Sequence, residues 1–120
     1  QLLTNILMEG NEMAKYLILG SYTSAAWAAQ LKEPGNRMDA VRPMFERMGG
    51  SLESAYFAFG DYDIVGIVDM PDNVTAAAMS IAVAAGGSLR TFKTVPLIGE
   101  EEGVEALKKA GDMGYTPPGS

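Results

Sequence analysis

The sequence predicts an α+β domain in which a strand-helix-strand unit occurs twice. The tetrapeptide Gly-Gly-Ser-Leu stands at residues 49–52 and again at residues 86–89, each time after a helix-like segment and before a strand-like one. Glycine is the usual left-handed residue just past a helix end, so both copies indicate a helix stop. A strand-like segment also precedes each helix. The predicted order is therefore β-α-β-β-α-β.

This order is that of the ferredoxin-like fold, a four-stranded antiparallel sheet with its helices on one face. The four strands are expected near residues 15–23, 51–59, 63–69 and 88–95. In the ferredoxin-like strand order 4-1-3-2, strands one and three are central. Strands one and three are indeed the most apolar of the four, whereas the expected edge strands carry charged and hydroxyl side chains.

The first helix is predicted in two parts. Ser24 is expected to cap a short helix that ends near Leu31, and the Lys-Glu-Pro-Gly segment at residues 32–35 breaks it. Asn36 then caps a second part, and Pro43 inside it should kink the helix or displace one hydrogen bond. The apolar side chains of this second part recur at helical spacing: Met38, Val41, Phe45 and Met48.

Two further helices follow strands three and four. Asp72 or Asn73 is expected to cap an Ala-rich helix over residues 75–85. After strand four, three glutamates open a short helix that ends in two lysines, an order of charges that suits the helix dipole. Val104 and Leu107 are expected to anchor this last helix on the rest of the domain.

The composition excludes several kinds of site. The 120 residues include no Cys and no His, which removes disulfides, thiolate metal sites, Ser-His relays and a His-ligated haem. No metal site and no tightly held cofactor are expected. The net charge of −6 argues against binding to nucleic acid or to an anionic membrane. The chain is interpreted as a cytoplasmic domain over residues 13–110, with an extension at 1–12 and a tail at 111–120.

Strand three predicts a partner, because it is apolar on both alternating faces. Helices on one side of an open sheet cover only one of these faces, so the other needs a cover. The simplest cover is the same sheet from a second copy of the chain. We therefore expect a homodimer, or a larger homo-oligomer, that packs sheet on sheet. A cover supplied by the chain's own tails, or an apolar face tolerated in solvent, are the alternatives.

Three segments, in this order, carry the signature of a family. They are MAKYLILGSYT at residues 13–23, FAFGDYD at residues 57–63 and RTFKT at residues 90–94. Together they resemble the GYD domain family, whose Gly-Tyr-Asp signature is matched by Gly60, Tyr62 and Asp63. The resemblance covers residues 13–110. It implies a ferredoxin-like fold and kinship with dimeric α+β barrel proteins, and it implies no established activity.

The segment Gly60-Asp61-Tyr62-Asp63 has two interpretations. As structure, Gly60 and Asp61 form the turn between strands two and three, Tyr62 packs on a neighbouring strand, and Asp63 bonds backbone donors near the turn. As a catalytic site, Tyr62 and Asp63 line the mouth of a pocket. Asp63 then serves as an acceptor or weak general base, and Tyr22 or Tyr62 donates to a ligand carbonyl.

Two glycines inside the central strands, Gly20 and Gly66, leave room beside them. Either a large side chain such as Trp27 fills that room, or a small ligand lies there, between the sheet and the helices. In the second case Tyr22 and Trp27 form part of the walls. Arg90 is the electrostatic partner of the ligand if its face of strand four looks inward, and otherwise Lys93 takes that place.

Two classes of function remain open. The first is a protein that binds a small apolar or aromatic molecule, with or without cofactor-free catalysis. The second is a non-catalytic oligomeric module, either a sensor or a part of an assembly. A closed cavity with a retained molecule favours the first class, and a filled core with a large apolar interface favours the second.

Overall fold

The structure is a computed structural model that describes residues 13–119 of the chain. These residues form a four-stranded antiparallel sheet and four helices. The predicted extension at residues 1–12 lies outside the described residues. In chain order the elements are β1 (Ala14–Tyr22), α1 (Ser24–Lys32), α2 (Arg37–Arg47), β2 (Ser51–Phe57), β3 (Ile64–Met70), α3 (Asn73–Gly86), β4 (Leu89–Leu97) and α4 (Glu100–Asp112).

The strand order in the sheet is β2-β3-β1-β4, which read from the opposite edge is 4-1-3-2. The prediction that strands one and three pair at the centre is confirmed. In their antiparallel register Gly20 faces Ile64, and Ile18 faces Gly66. Each glycine thus lies opposite an isoleucine of the neighbouring strand, and the two isoleucines occupy the volume that the glycines leave.

One face of the sheet carries the core. Side chains alternate along a strand, and in β3 every second residue from Ile64 to Met70 is buried. Helices α2 and α3 cover this face through buried side chains on each helix: Met38 and Phe45 on α2, and Ala76 and Met79 on α3. Most of the core's free energy therefore comes from burying one sheet face under two helices.

The other face, which we call the open face, is only partly covered. Four apolar side chains of the central strands lie on it and remain partly exposed: Leu17, Leu19, Val65 and Ile67. At one end of this face Lys15 bonds Asp69 at 2.8 Å and Glu53 at 3.1 Å. These two carboxylates raise the pKa of Lys15 above its ordinary value, and Asp69 has the larger effect.

The helix termini follow the sequence with one correction. Asn36 caps α2 by accepting from the N–H groups of Met38 and Asp39, and Asp72 caps α3 by accepting from Thr75. The first cap is Thr23, whose hydroxyl accepts from Ala26, and the expected cap Ser24 is instead the first helical residue. Because β1 runs to Tyr22, one residue separates strand from helix, and that residue takes the cap.

Both predicted helix stops are confirmed. Gly49 and Gly87 have φ angles of +82° and +76°, the left-handed region that glycine enters without a Cβ clash. Pro43 lies inside α2 without ending it, since the helix continues to Arg47. Its ring is on the exposed side of the helix, where the carbonyl group that it leaves unpaired can bind water.

The C-terminal helix α4 differs from the prediction. It is longer than expected and ends at Asp112. The expected anchors do not anchor it, because the exposed fractions of Val104 and Leu107 are 49% and 73%, and no residue between Glu100 and Asp112 is buried. Two apolar side chains offer too little area to offset the cost of ordering the helix against the domain.

Replacing Gly66 by Ala should destabilise the protein. The added methyl group would lie 3.1 Å from the carbonyl oxygen of Ser54 and 3.3 Å from Cγ1 of Ile18. The carbonyl belongs to the neighbouring strand and cannot move aside, so we expect a loss of about 1–3 kcal/mol in the free energy of unfolding, measured by urea denaturation.

Gly86→Ala is the matched control, because a methyl group at the last residue of α3 has nothing within 4 Å. It should leave stability unchanged or raise it by up to about 1 kcal/mol. Equal stability of the two variants would contradict the close packing of Ile18 over Gly66.

Candidate functional site

A cavity of about 230 Å³ lies between the helix-covered face of the sheet and helices α2 and α3. Its walls are mostly apolar: Ile18 and Ile64 from the sheet, Met38, Val41, Met44 and Phe45 from α2, Met79, Ala82 and Val83 from α3, and Leu89 and Phe92 from β4. Three polar residues also line it, namely Tyr22, Arg37 and Ser88. An apolar chamber with a few polar groups is the usual form of a small-molecule site.

The Tyr22 hydroxyl is the most unusual group in this cavity. Tyr22 is 5% exposed, and within residues 13–119 its hydroxyl has no hydrogen-bond partner. Burial raises the pKa of this hydroxyl above its ordinary value, the Arg37 guanidinium opposes the rise, and Asp63 adds to it. The group therefore remains a protonated donor at neutral pH. An unsatisfied buried hydroxyl costs about 1–3 kcal/mol in stability, so we expect one only where a molecule other than the protein can accept its hydrogen bond.

Arg37 brings the second polar group to the cavity, and the sequence interpretation did not include it. It is the first residue of α2, directly after the cap Asn36. A helix dipole favours acids at this end, so a basic residue here is placed against the dipole. Within the described chain Arg37 is in no ion pair, whereas Arg42 of the same helix pairs with Asp39. This unfavourable position of a basic residue at the start of a helix is the sequence signal that would have identified Arg37 as a candidate site residue.

The Gly60–Asp63 segment ties the turn before β3 to the end of β1. The Tyr22 backbone N–H donates to Oδ2 of Asp63 at 2.8 Å, and the Asp63 N–H donates to the carbonyl of Gly20, also at 2.8 Å. The buried Ser21 hydroxyl donates to the carbonyl of Asp61 at 2.7 Å. These three bonds hold the end of β1 in place, and with it Tyr22, which lines the cavity.

Tyr62 and Asp63 do not line the cavity. The Lys93 ammonium lies 5.4 Å from the centre of the Tyr62 ring, a cation–π distance. Lys93 pairs with Leu19 in the sheet register, so its side chain is on the open face. The structure therefore separates Tyr62 from Tyr22 and places them on opposite sides of the sheet.

The two glycines predicted to leave room for a ligand, Gly20 and Gly66, leave none. A methyl group added to Gly20 would meet Ile64 at 3.2 Å, and one added to Gly66 would meet Ile18, so isoleucines occupy the room beside both glycines. Trp27 does not fill it either, because its ring packs edge-on against Tyr22 at 5.0 Å. The cavity lies further from the sheet, beyond the two isoleucines.

Arg90 also lies away from the cavity. The register of β1 with β4 shifts between Ser21 and Tyr22, where Thr91 and Leu89 are the respective partners. Arg90 is thus the extra residue of a bulge, and its side chain is exposed. Neither Arg90 nor the alternative Lys93, which is on the open face, lines the cavity. A bulge cannot be read from a strand pattern in the sequence.

Replacing Tyr22 by Phe should not weaken the fold. The change removes an unsatisfied hydroxyl and keeps the ring, so the free energy of unfolding should stay the same or rise by about 1 kcal/mol in urea denaturation. Tyr16→Phe is the matched control, because the Tyr16 hydroxyl donates to Oδ1 of Asn73. Its loss should cost about 0.5–1.5 kcal/mol. A similar loss in both variants would show that the Tyr22 hydroxyl already has a partner.

Residues 13–119 contain neither a cluster of metal-binding side chains nor a membrane-spanning helix. No group of three or more acidic side chains there is arranged to hold a metal ion. No helix in this part of the chain has both the length and the apolar character needed to cross a membrane.

The comparison with known proteins identifies the family. The profile of the GYD domain matches residues 16–107, which is more than half of the chain. No curated protein and no solved structure matches the chain. The matched segment contains β1 through the first half of α4, including the Gly60–Asp63 turn and the end of β1 that the turn supports. The chain belongs to the GYD domain family.

Proposed function

We propose that the protein is a homodimeric small-molecule-binding protein with one pocket in each subunit, between the sheet and helices α2 and α3. The observation that carries the proposal concerns Tyr22, a residue of the lining of an apolar cavity, whose buried hydroxyl lacks a partner within the described residues. If this space had no occupant, we would expect its apolar walls to close it. The fold would then also avoid the cost of burying a hydroxyl without a partner.

The size of the cavity indicates a small occupant. An apolar cavity of about 150 Å³ is large enough to hold benzene. The 230 Å³ here therefore fits one ring or a short aliphatic chain with a small polar substituent. The exposed residues at the cavity wall, among them Ala82 and Ser88, give such a molecule a route from solvent.

The second copy would cover the open face. Leu17, Leu19, Val65 and Ile67 form its apolar centre, and the partly exposed Val95 of β4 extends it. Packing this face against its symmetry mate would give the arrangement of a dimeric α+β barrel with ferredoxin-like subunits. The strand order 4-1-3-2, read from the β4 edge, supports this proposal.

The polar groups of the open face support the same assembly. The Lys15 ion pairs with Asp69 and Glu53 lie at one end, and the Lys93–Tyr62 contact lies at the other. An apolar centre with a polar rim is the usual anatomy of a protein interface.

Binding, rather than catalysis by the predicted residues, is the function that these contacts favour. The Asp63 carboxylate accepts from the Tyr22 backbone, and Tyr62 is beside Lys93 on the open face. Neither side chain reaches the cavity. In this proposal Asp63 positions Tyr22, and the open-face residue Tyr62 belongs to the rim of the dimer.

Native mass spectrometry of freshly purified protein tests the pocket. We expect a dimer that carries up to two copies of a small molecule, released when the protein is denatured. Val83→Phe, which fills the cavity from α3, should abolish retention and leave the dimer intact. A dimer that retains nothing and binds no apolar probe would contradict the pocket and favour a non-catalytic assembly module.

Charged substitutions on the open face test the dimer. Val65 and Ile67 lie on the same face of β3, so Val65→Lys and Ile67→Lys should each give a monomer in size-exclusion chromatography with light scattering, because a buried unpaired ammonium is strongly unfavourable. Ile81→Lys is the control, since Ile81 on α3 is 69% exposed and away from the sheet. A monomeric parent protein at micromolar concentration would refute the dimer.

A further inference from the structure

The polar groups of the cavity say more about its occupant than its apolar walls do. Three polar side chains line the cavity: Tyr22, Arg37 and Ser88. No carboxylate and no side-chain amide is among the lining residues. Arg37 has only donors, and Tyr22 has a donor without a partner among residues 13–119. The cavity therefore offers donors and one positive charge, and it lacks a charged acceptor.

Resting on the proposed function, we propose that the ligand is a small apolar monocarboxylic acid, whose carboxylate is bound between the Arg37 guanidinium and the Tyr22 hydroxyl. A carboxylate has two acceptor oxygens, which match one donor from each side chain. One positive charge from Arg37 balances one negative charge. The ring or chain of the acid lies among the apolar side chains of α2 and α3, Phe45 and Met79 among them.

Three physical features favour an anion over a neutral acceptor. Arg37 and Tyr22 line the same cavity, and the Arg37 guanidinium opposes the rise in the pKa of Tyr22. The amino end of α2, from which Arg37 projects, adds a positive partial charge. The nearest carboxylate that affects Tyr22 is Asp63, and its Oδ2 already accepts the backbone N–H of Tyr22. Asp63 therefore competes little with a ligand carboxylate for the Arg37 guanidinium.

A matched pair of probes tests the ligand class. Phenylpropionate and phenylpropanol share one carbon skeleton and differ in a carboxylate against a primary alcohol, and their single ring with a short chain suits the cavity. Isothermal titration calorimetry of the full chain should show phenylpropionate binding roughly tenfold or more tightly than phenylpropanol, because hydrogen bonds to charged groups are the stronger ones.

Variants of the two donor residues, Arg37 and Tyr22, should weaken the binding of the acid selectively. Arg37→Gln and Tyr22→Phe should each raise the Kd of phenylpropionate by roughly tenfold or more, and change the Kd of phenylpropanol much less. Arg47→Gln is the matched control: it removes the same charge at the opposite end of α2, and should change neither Kd. Circular dichroism confirms that each variant is folded.

The outcomes separate this proposal from the pocket itself. If the alcohol binds as tightly as the acid and Arg37→Gln leaves both unchanged, the ligand class is wrong and the apolar pocket stands. If neither probe binds the parent protein, both the ligand class and the proposed pocket are overturned. If Arg47→Gln weakens the acid as much as Arg37→Gln does, the effect is one of net charge, and the assignment of the carboxylate to Arg37 is wrong.

Discussion

The packing of glycine against isoleucine in the β1–β3 pair is the contact on which the rest of the structure depends. Gly20 faces Ile64 and Gly66 faces Ile18, so each isoleucine can lie over the bare backbone of the neighbouring strand. Both isoleucines then form the sheet side of the cavity. Cβ atoms at the glycines would push these side chains toward the helices. The glycines therefore shape the cavity without lining the space that a ligand would fill.

The turn before β3 completes this arrangement. Its hydrogen bonds to Gly20, Ser21 and Tyr22 fix the end of β1, where the chain passes from the sheet into α1. Within the Gly-Tyr-Asp signature, Asp63 thus holds the end of β1 beside the cavity, and Tyr62 lies on the open face. The polar side chains of this signature make structural contacts on both sides of the sheet. From the sequence alone, the same side chains resemble an active site.

The two faces of the sheet differ in what holds them. The helix-covered face carries the core, in which Val68 and Met70 of β3 and Met79 of α3 are fully buried. The open face keeps apolar side chains at its centre and ionic or cation–π contacts at its ends. The cavity lies on the first face and is lined by Tyr22, whose side chain has the one buried hydroxyl without a partner among residues 13–119. A buried donor of this kind lowers stability in the empty protein, and a ligand acceptor would return that free energy on binding.

The sequence by itself determined the order of the elements, the helix stops and the family. The glycines at 49 and 87, the caps Asn36 and Asp72, and the apolar stripe of α2 are local signals, because each depends on backbone conformations or spacings within a few residues. The same is true of the apolar runs that indicated β1 and β3 as the central strands. The choice of Thr23 over Ser24 as a cap depended on where β1 ends, which is set by its pairing with β4.

Tertiary structure alone decided the site and the position of α4. The bulge at Arg90, the filling of the glycine space by Ile18 and Ile64, and the separation of Tyr62 from Tyr22 all arise from pairing between distant strands. Arg37 and Tyr22 line one cavity only because α2 packs over the same face of the sheet as the buried side chains of β1. The exposure of Val104 and Leu107 is equally non-local, since an apolar stripe indicates that a helix can dock and not what it docks on. Local sequence sets backbone conformation, whereas a binding site requires side chains from several elements to converge, and that convergence exists only in the packed fold.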